Sequence, residues 1–577
     1  TEQNMHNGVR ISAIAALALT VAGCNLSEPA AFDPRTLQHA ERMASYSERP
    51  GRMGPLPTTM EGVPDSAPGS ADADASTAGQ AGPILDGRPT IRLSLQQIIH
   101  RAVAHSREVR VAGYDPAVAK TRILEAEAHF DPVFFSKATY TDQVILSPSS
   151  GILPGANPFQ PDIFRTIDVQ AGLRQNGPAG GTFEVRYDVQ RIQRVPVAAG
   201  QLNPYTVNDL AVQITQPLLR DLGYDVNQAR ITIARNDYKV SVLDYRKTLE
   251  ENLAELERDY WQLAEAEREE IVQEDLLARS RATYSVLRER ANLDATSVQV
   301  TQADAKLKAR EADLINIKQK IRTTSQNVKR RMNDPEFPVA GDVVILSEIP
   351  EVETPVHFVL KDLIATAMAN RFELGQQTLR EDSATIAAKV AKFNLLPKLD
   401  LVGTMDVQGP GQDFAHAFKN QGNSDFWGGS IGLSFEYPLG NREARSIYRR
   451  AMLQRLQAIE QYGFLVEQIA EDVTVALIAV ESDWKSIQGR RSQKFSAEAN
   501  LNAYEEMRRI GNIQRLDYQY VSQLLDAQEA LGEAERQEAL AIAQYYVDIA
   551  VLERAKGTLL RYNNIVMSEE QFTRNEQ

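Results

Sequence analysis

From Tyr224 to Asp334 the chain runs without a single glycine or proline. Those two residues are the strongest helix breakers, so their absence over such a distance predicts helix. As one rod the stretch would measure roughly 165 Å at about 1.5 Å per residue. A reversal near "ERANLDATS", residues 289 to 297, instead predicts two helices of about 60 and 40 residues lying side by side. The outgoing helix carries Leu249, Leu253, Leu256, Tyr260 and Leu263, spaced four and three apart in turn. The returning helix carries Leu307, Leu314, Ile321 and Val328 at every seventh position. Both are coiled-coil spacings, so each helix is expected to pack lengthwise on neighbours.

The plan occurs twice. Leu95, Ile98, Ile99, Ala102, Ala104, Glu108, Val109 and Pro132 align without a gap with Leu360, Leu363, Ile364, Ala367, Ala369, Glu373, Leu374 and Pro397. In each copy the apolar residues fall on one face of a helix, which runs into a proline and then a period of two. A second long hairpin is expected from Asn441 to about Met507 and back from about Gln514 to Leu560, turning at Gly511 and Asn512. Its returning arm has Leu524, Leu531, Tyr545, Leu552 and Leu559 on a heptad frame that Glu538 breaks once. The expected organisation is a first repeat over 91–334, a Pro-rich connector over 335–358, a second repeat over 359–560 and a polar tail over 561–577.

Strand-like alternation follows each proline. "TFEVRYDV" sets Phe183, Val185, Tyr187 and Val189 against Glu184, Arg186 and Asp188, and "NDLAVQITQP" continues with Leu210, Val212 and Ile214. In the second copy "FWGGSIGLSFEYP" places Trp427, Ile431, Leu433, Phe435 and Tyr437 on one face, after "LPKLDLVGTMDV". Such segments fit membrane-spanning strands of a β-barrel. They fit a half-buried antiparallel sheet equally well.

The formal net charge of −14 argues against a nucleic-acid groove, which needs a basic patch; a solvated surface accounts for it. With one cysteine and seven histidines there is no intrachain disulfide and no cysteine-based metal site. No cofactor is implied. The cysteine, Cys24, follows "RISAIAALALTVAG", an apolar run shorter than the roughly 20 residues a bilayer crossing needs. That pattern suits a signal peptide over 1–23. Val21-Ala22-Gly23 before Cys24 resembles a bacterial lipobox, which implies lipidation at Cys24 and, with Asn25 next, outer-membrane delivery. A plain secretory signal with an incidental cysteine is the alternative. Residues 24–90 hold "DSAPGSADADASTAGQAG" and resemble a disordered tether. No later run approaches the roughly 18 apolar residues of a membrane helix, so any crossing must use strands.

Anchor, duplicated helix–strand–hairpin order and paired coiled coils together resemble the TolC-type outer-membrane channel family, over about residues 90 to 560. The sharpest marks are "TQPLLRDLGYDVNQAR" and "EYPLGNREAR", where a strand ends at Pro217 or Pro438 and a long helix starts soon after. The resemblance implies an α+β membrane protein: helical hairpins forming a periplasmic tunnel, and antiparallel strands contributing to a trimeric outer-membrane barrel. It implies a homotrimer partnered by a periplasmic adaptor, an inner-membrane transporter and outer-membrane lipid, serving efflux or type I secretion. One departure is visible. The first half offers four strand-like segments, about 133–145, 166–174, 183–193 and 208–216, where the family pattern needs two.

The family's hairpin tips close the tunnel with acidic rings. Here Gly511 and Asp517 match the second-tip pattern, but Tyr520 stands at the second acidic position. At the first tip Asn292 stands at the glycine position. Asp517 and Tyr520 are therefore gate candidates, and Gly511, Asn512 and Asn292 candidate adaptor contacts; an acidic residue favoured by a helix start is the plainer account of Asp517. Catalytic patterns are weak. "GGSIG" around Ser430 sits mid-strand rather than at the strand-to-helix turn that a nucleophile elbow needs. Ser482 and Lys485 of "SDWK" lack companion motifs, and His100 and His105 point to different helix faces. An enzyme is not expected. The competing class is an envelope scaffold or adaptor lipoprotein without a channel, which leaves the alternating strands unused.

Overall fold

The computed structural model describes residues 80–81, 85, 87–148, 159–195, 200–293, 295–348, 358–422, 426–509 and 518–565. Cys24, Gly511, Asn512 and Asp517 lie outside these residues.

The first half opens with β1 (Gln80–Ala81) and β2 (Thr90–Leu93), then α1 (Leu95–His105), α2 (Arg107–Ala112) and α3 (Tyr114–Glu127). Four strands follow: β3 (Val133–Pro148), β4 (Phe159–Asn176), β5 (Thr182–Val195) and β6 (Tyr205–Pro217). A short α4 (Tyr224–Asn227) leads into α5 (Ala229–Glu289) and the returning α6 (Ser297–Met332). After β7 (Val344–Ser347) the second half supplies α7 (Leu360–Asn370), α8 (Phe372–Phe393), β8 (Lys398–Gly411), α9 (Phe414–Gln421) and β9 (Trp427–Glu436). It closes with α10 (Arg442–Arg509), α11 (Tyr518–Ala555) and α12 (Leu559–Tyr562). The aligned residues of the two halves open matching elements: Leu95 and Leu360 start helices, and Val133 and Lys398 start strands just after Pro132 and Pro397.

Local chemistry sets the first reversal. Thr296 caps α6, its hydroxyl accepting from the Gln299 backbone N–H at 3.3 Å while the Gln299 side chain accepts from the Thr296 N–H at 2.7 Å. This capping box satisfies two donors that a helix start otherwise leaves unpaired. The seam read from the sequence is the core: Leu249, Leu253, Leu256, Tyr260 and Leu263 are buried, as are Leu307, Ile321 and Val328. Leu314 is only half-buried, with Ile317 buried one turn on. Leu524, Leu531, Tyr545, Leu552 and Leu559 are buried in the second hairpin. The frame-breaking Glu538 meets Arg491 at 3.3 Å and Lys494 at 3.0 Å across on α10.

Two sheets form. The small one, β1-β2-β7, pairs β2 parallel with β7 and so ties the start of the first half to the connector between the halves. The large one has six antiparallel strands in the order β3-β4-β5-β6-β8-β9. The strands run longer than their alternation suggested, and β6 pairs with β8 to join the halves into one surface.

Candidate functional site: a two-faced strand wall and the hairpin tips

Strand register decides which side chains share a face, because successive residues point to opposite sides. One face carries Phe134, Tyr140, Ile167, Val169, Leu173, Phe183, Leu210, Ile214, Leu401, Met405, Trp427, Ile431, Leu433 and Phe435, matched strand to strand. All of these are exposed, Ile431 by 80%. In β8 and β9 this face runs from Leu399 to Val407 and from Trp427 to Phe435 without a charged residue, close to the roughly 9–11 tilted residues that cross a bilayer.

The other face is polar. Arg174 pairs with Glu184 at 2.8 Å, Arg186 with Asp188 at 2.6 Å and Arg194 with Asp162 at 2.7 Å. Asp168, Asp209, Asp406 and Lys137 share that side by register. Asp162, Asp188 and Asp400 on this face are buried, as expected of a sheet curling round its polar side. Ser430 points to the same side, its hydroxyl 2.7 Å from that of Thr404 in mid-strand. Ser482 and Lys485 are exposed on α10, His100 is exposed on α1, and the His105 carbonyl accepts from Asn333 at 3.0 Å.

Strand exits lie together at the end of the sheet nearest the helices. Pro217 is the last residue of β6, and the next N–H, of Leu218, donates to the Leu399 carbonyl at 2.7 Å. Proline has no N–H for a ladder, so a strand ends there readily. Pro438 follows β9 by two residues, and its carbonyl accepts from Asn441 at 3.1 Å, where α10 begins. Between the start of β3 and the exit of β6 the β4–β5 turn is held on both sides. Gln175 and Asn176 donate to the carbonyls of Phe130 and His129, each at 3.1 Å. Gly223 N–H donates to the Ala179 carbonyl at 3.1 Å. Gly180 has φ +94°, and a Cβ there would collide with the Asp221 carbonyl oxygen.

At the opposite end of the sheet the short α9 lies on the apolar side. Sequence reading missed it inside a glycine-rich connection, although Asp413 signals its start by accepting from the His416 N–H at 3.0 Å. Gly409 and Gly411 of β8 leave room for its backbone at Ala417. Gln421 bonds Tyr187 at 3.1 Å and the Val407 carbonyl at 2.8 Å. Phe414 and Phe418 stack at 6.1 Å and are exposed, as are Phe426 and Trp427. Of these, Trp427 has the amphipathic ring that favours a membrane–water boundary.

The far ends of α5, α6, α10 and α11 gather in a separate apolar cluster that includes Leu287, Ala295, Ala303, Leu501, Val521 and Leu525. Asn292 is exposed in the first turn. Tyr520 is buried in the cluster, its hydroxyl donating to the Tyr504 carbonyl at 2.8 Å. A tyrosine so placed packs α11 on α10 within one chain. The hairpins are linked by charge: Lys306 reaches Asp526 at 3.1 Å and Glu529 at 2.9 Å, Arg310 reaches Glu529 at 3.3 Å, and Arg279 reaches Glu505 at 3.5 Å. Those cations hold the Glu529 carboxyl below its usual range, the Lys306 bond contributing most.

Midway along α5, three glutamates that the leucine pattern did not flag are buried. Glu250, Glu257 and Glu267 are each pushed up to about 7 by burial, which disfavours the charged form. Glu257 accepts from Asn563 at 2.7 Å, and Glu267 accepts from the Ser347 N–H at 2.5 Å.

Among the described residues no group of three or more acidic, histidine or cysteine side chains is placed to hold a metal, and no helix is long and apolar enough to cross a membrane.

Known proteins share this arrangement. The family described as "Outer membrane efflux protein" matches residues 363–558. The probable efflux pump outer membrane protein SepC of Pseudomonas putida is 26% identical over 203 residues, 35% of this chain. The chain spans 40% of that relative's length. Among solved structures, the outer membrane protein VceC of Vibrio cholerae superposes with a TM-score of 0.56 at 16% identity, covering 80% of this chain and 96% of VceC. The CmeC outer membrane channel of Campylobacter jejuni gives 0.58 at 15%, covering 84% and 89%. Residues 363–558 thus match the outer membrane efflux protein family, and the chain has the fold shared by VceC and the CmeC channel.

Proposed function

We propose that three copies of this chain close their sheets into one outer-membrane β-barrel, with the helical hairpins forming a periplasmic tunnel beneath it. The chain is then the outer-membrane channel component of a tripartite efflux or type I secretion system. A periplasmic adaptor and an inner-membrane transporter deliver its substrates, and Cys24 carries the lipid anchor. The two-faced sheet carries this reading. Its apolar face suits lipid, its charged face suits water, and the outward edges of β3 and β9 have no partner among the described residues. An open strand edge in a bilayer leaves backbone donors and acceptors unsatisfied, so β9 of one copy must pair with β3 of the next. At about 1.5 Å per residue, α5 and α10 are roughly 90–100 Å long, a periplasmic length.

The tunnel's gate follows from the same reading. Gly511 and Asn512 turn the second hairpin, and with Asn292 of the first they offer the adaptor its contact. Asp517 supplies a threefold carboxylate ring, and the buried Tyr520 fixes the helix that presents it. Purified protein should run as a heat-sensitive trimer and conduct ions in planar bilayers. Asp517→Asn should lower cation selectivity and divalent block. A monomer that releases from membranes on Cys24→Ala and conducts nothing would replace this reading with the adaptor one.

A further inference from the structure

The β4–β5 hairpin has no counterpart in the second half, where β8 and β9 are consecutive strands of the sheet. Among the described residues, four strand ends per chain lead to the helical body: β3 from α3, β6 into α5, β8 from α8 and β9 into α10. The extra pair ends in its own turn. We infer that this hairpin is part of the barrel wall, so that three chains close eighteen strands above a collar of twelve helices; this rests on the trimeric channel reading.

Three observations support it. First, the hairpin is paired on both flanks for nearly its whole length. β4 meets β3 from Val133↔Arg174 to Pro148↔Phe159, and β5 meets β6 from Thr182↔Thr215 to Ile192↔Tyr205. A hairpin projecting from the wall would leave β3 and β6 to pair with each other, and they do not. Second, its side chains keep the register of the wall. Ile167, Val169, Leu173, Phe183 and Val189 continue the apolar face, and Asp168, Glu184, Arg186 and Asp188 continue the polar one. A water-exposed hairpin has no use for such an apolar face. Third, its turn is fixed to the strand–helix junction from both sides, by Gln175 and Asn176 toward residues 129–130 and by Ala179 and Gly180 toward residues 221–223.

The consequence is a change of calibre. With strands about 4.8 Å apart and tilted about 40°, eighteen strands enclose a cylinder roughly 36 Å across between backbones, against roughly 24 Å for twelve. Barrels of 16–18 strands leave an aqueous channel.

Direct imaging of the full-length trimer in lipid nanodiscs counts the strands. Eighteen, with residues 159–195 in the wall, is the expected result. A conducting trimer with a twelve-strand wall and the hairpin outside it would overturn this inference alone. Absence of any trimer would overturn the channel reading and this inference with it. Arginine scanning gives an independent readout. Val169→Arg and Val189→Arg should each cut the heat-resistant trimer at least tenfold, whereas Gln170→Arg, on the polar face, should leave it intact. Equal tolerance of all three would place the hairpin outside the bilayer.

Discussion

Glu257 is buried on α5, beside the leucine seam that the sequence makes plain, and its carboxyl is pushed up to about 7. A carboxyl whose folded pKa lies above its unfolded value binds more protons when folded. Its stabilising effect is full below about pH 4.5 and is lost as the pH rises through 7. Glu250 and Glu267 behave alike, so the middle of the helical body should weaken between pH 5 and 8. Glu257→Gln keeps an acceptor for Asn563 and removes the charge. It should raise stability at pH 8 by about 2–3 kcal/mol and leave it nearly unchanged at pH 5. Thermal unfolding followed by circular dichroism at the two pH values is the check; an equal effect at both would assign the glutamate a purely steric role. Heptad reading could not find these residues, because it registers which positions are apolar. Burial of a polar side chain depends on what lies opposite, here the C-terminal Asn563 and the connector strand.

Elements are where the sequence spoke most clearly and also where it stopped. Long helices were legible because missing breakers and a seven-residue repeat are local signals. Reversal at 289–297 was legible for the same reason, since Thr296 and Gln299 lie three apart in the chain. Glu538 broke the heptad on paper, and in the fold it finds Arg491 and Lys494, which belong to another helix. Strand alternation marked the faces but not their surroundings, and α9 was hidden among glycines whose purpose is to admit it. The sheet offers a sharp test because adjacent residues of β9 face opposite ways. Ile431→Arg puts a charge on the apolar face and should cost about 2–4 kcal/mol near the bilayer centre. Ser430→Arg, one residue away on the polar face, should cost little. Unfolding titrations in lipid vesicles separate the two, and equal costs would mean that this sheet does not stand in a membrane.

At the scale of the whole molecule, duplication made the order of parts readable, since each half repeats helix, strand and hairpin. What duplication could not supply was the fate of the unmatched β4–β5 pair, which register with β3 and β6 decides. Nor could it supply the bonds between the hairpins, because residues some 200 positions apart in the chain make them. Lys306 and Arg310 of the first hairpin hold Asp526 and Glu529 of the second. These groups are partly exposed, so each pair contributes no more than about 1 kcal/mol and is screened by salt. Beneath them the apolar cluster around Leu524 and Leu525 persists whatever the salt. The tip should therefore loosen by degrees without unfolding. Replacing Lys306 and Arg310 together by Met should speed amide exchange over residues 284–307 and 519–531 and raise the open fraction in bilayer recordings. Wild-type protein in 1 M salt, where charges interact over only about 3 Å, should approach the double variant. If salt leaves the wild-type tip as it was, the apolar cluster alone holds the hairpins together, and opening requires force from a partner.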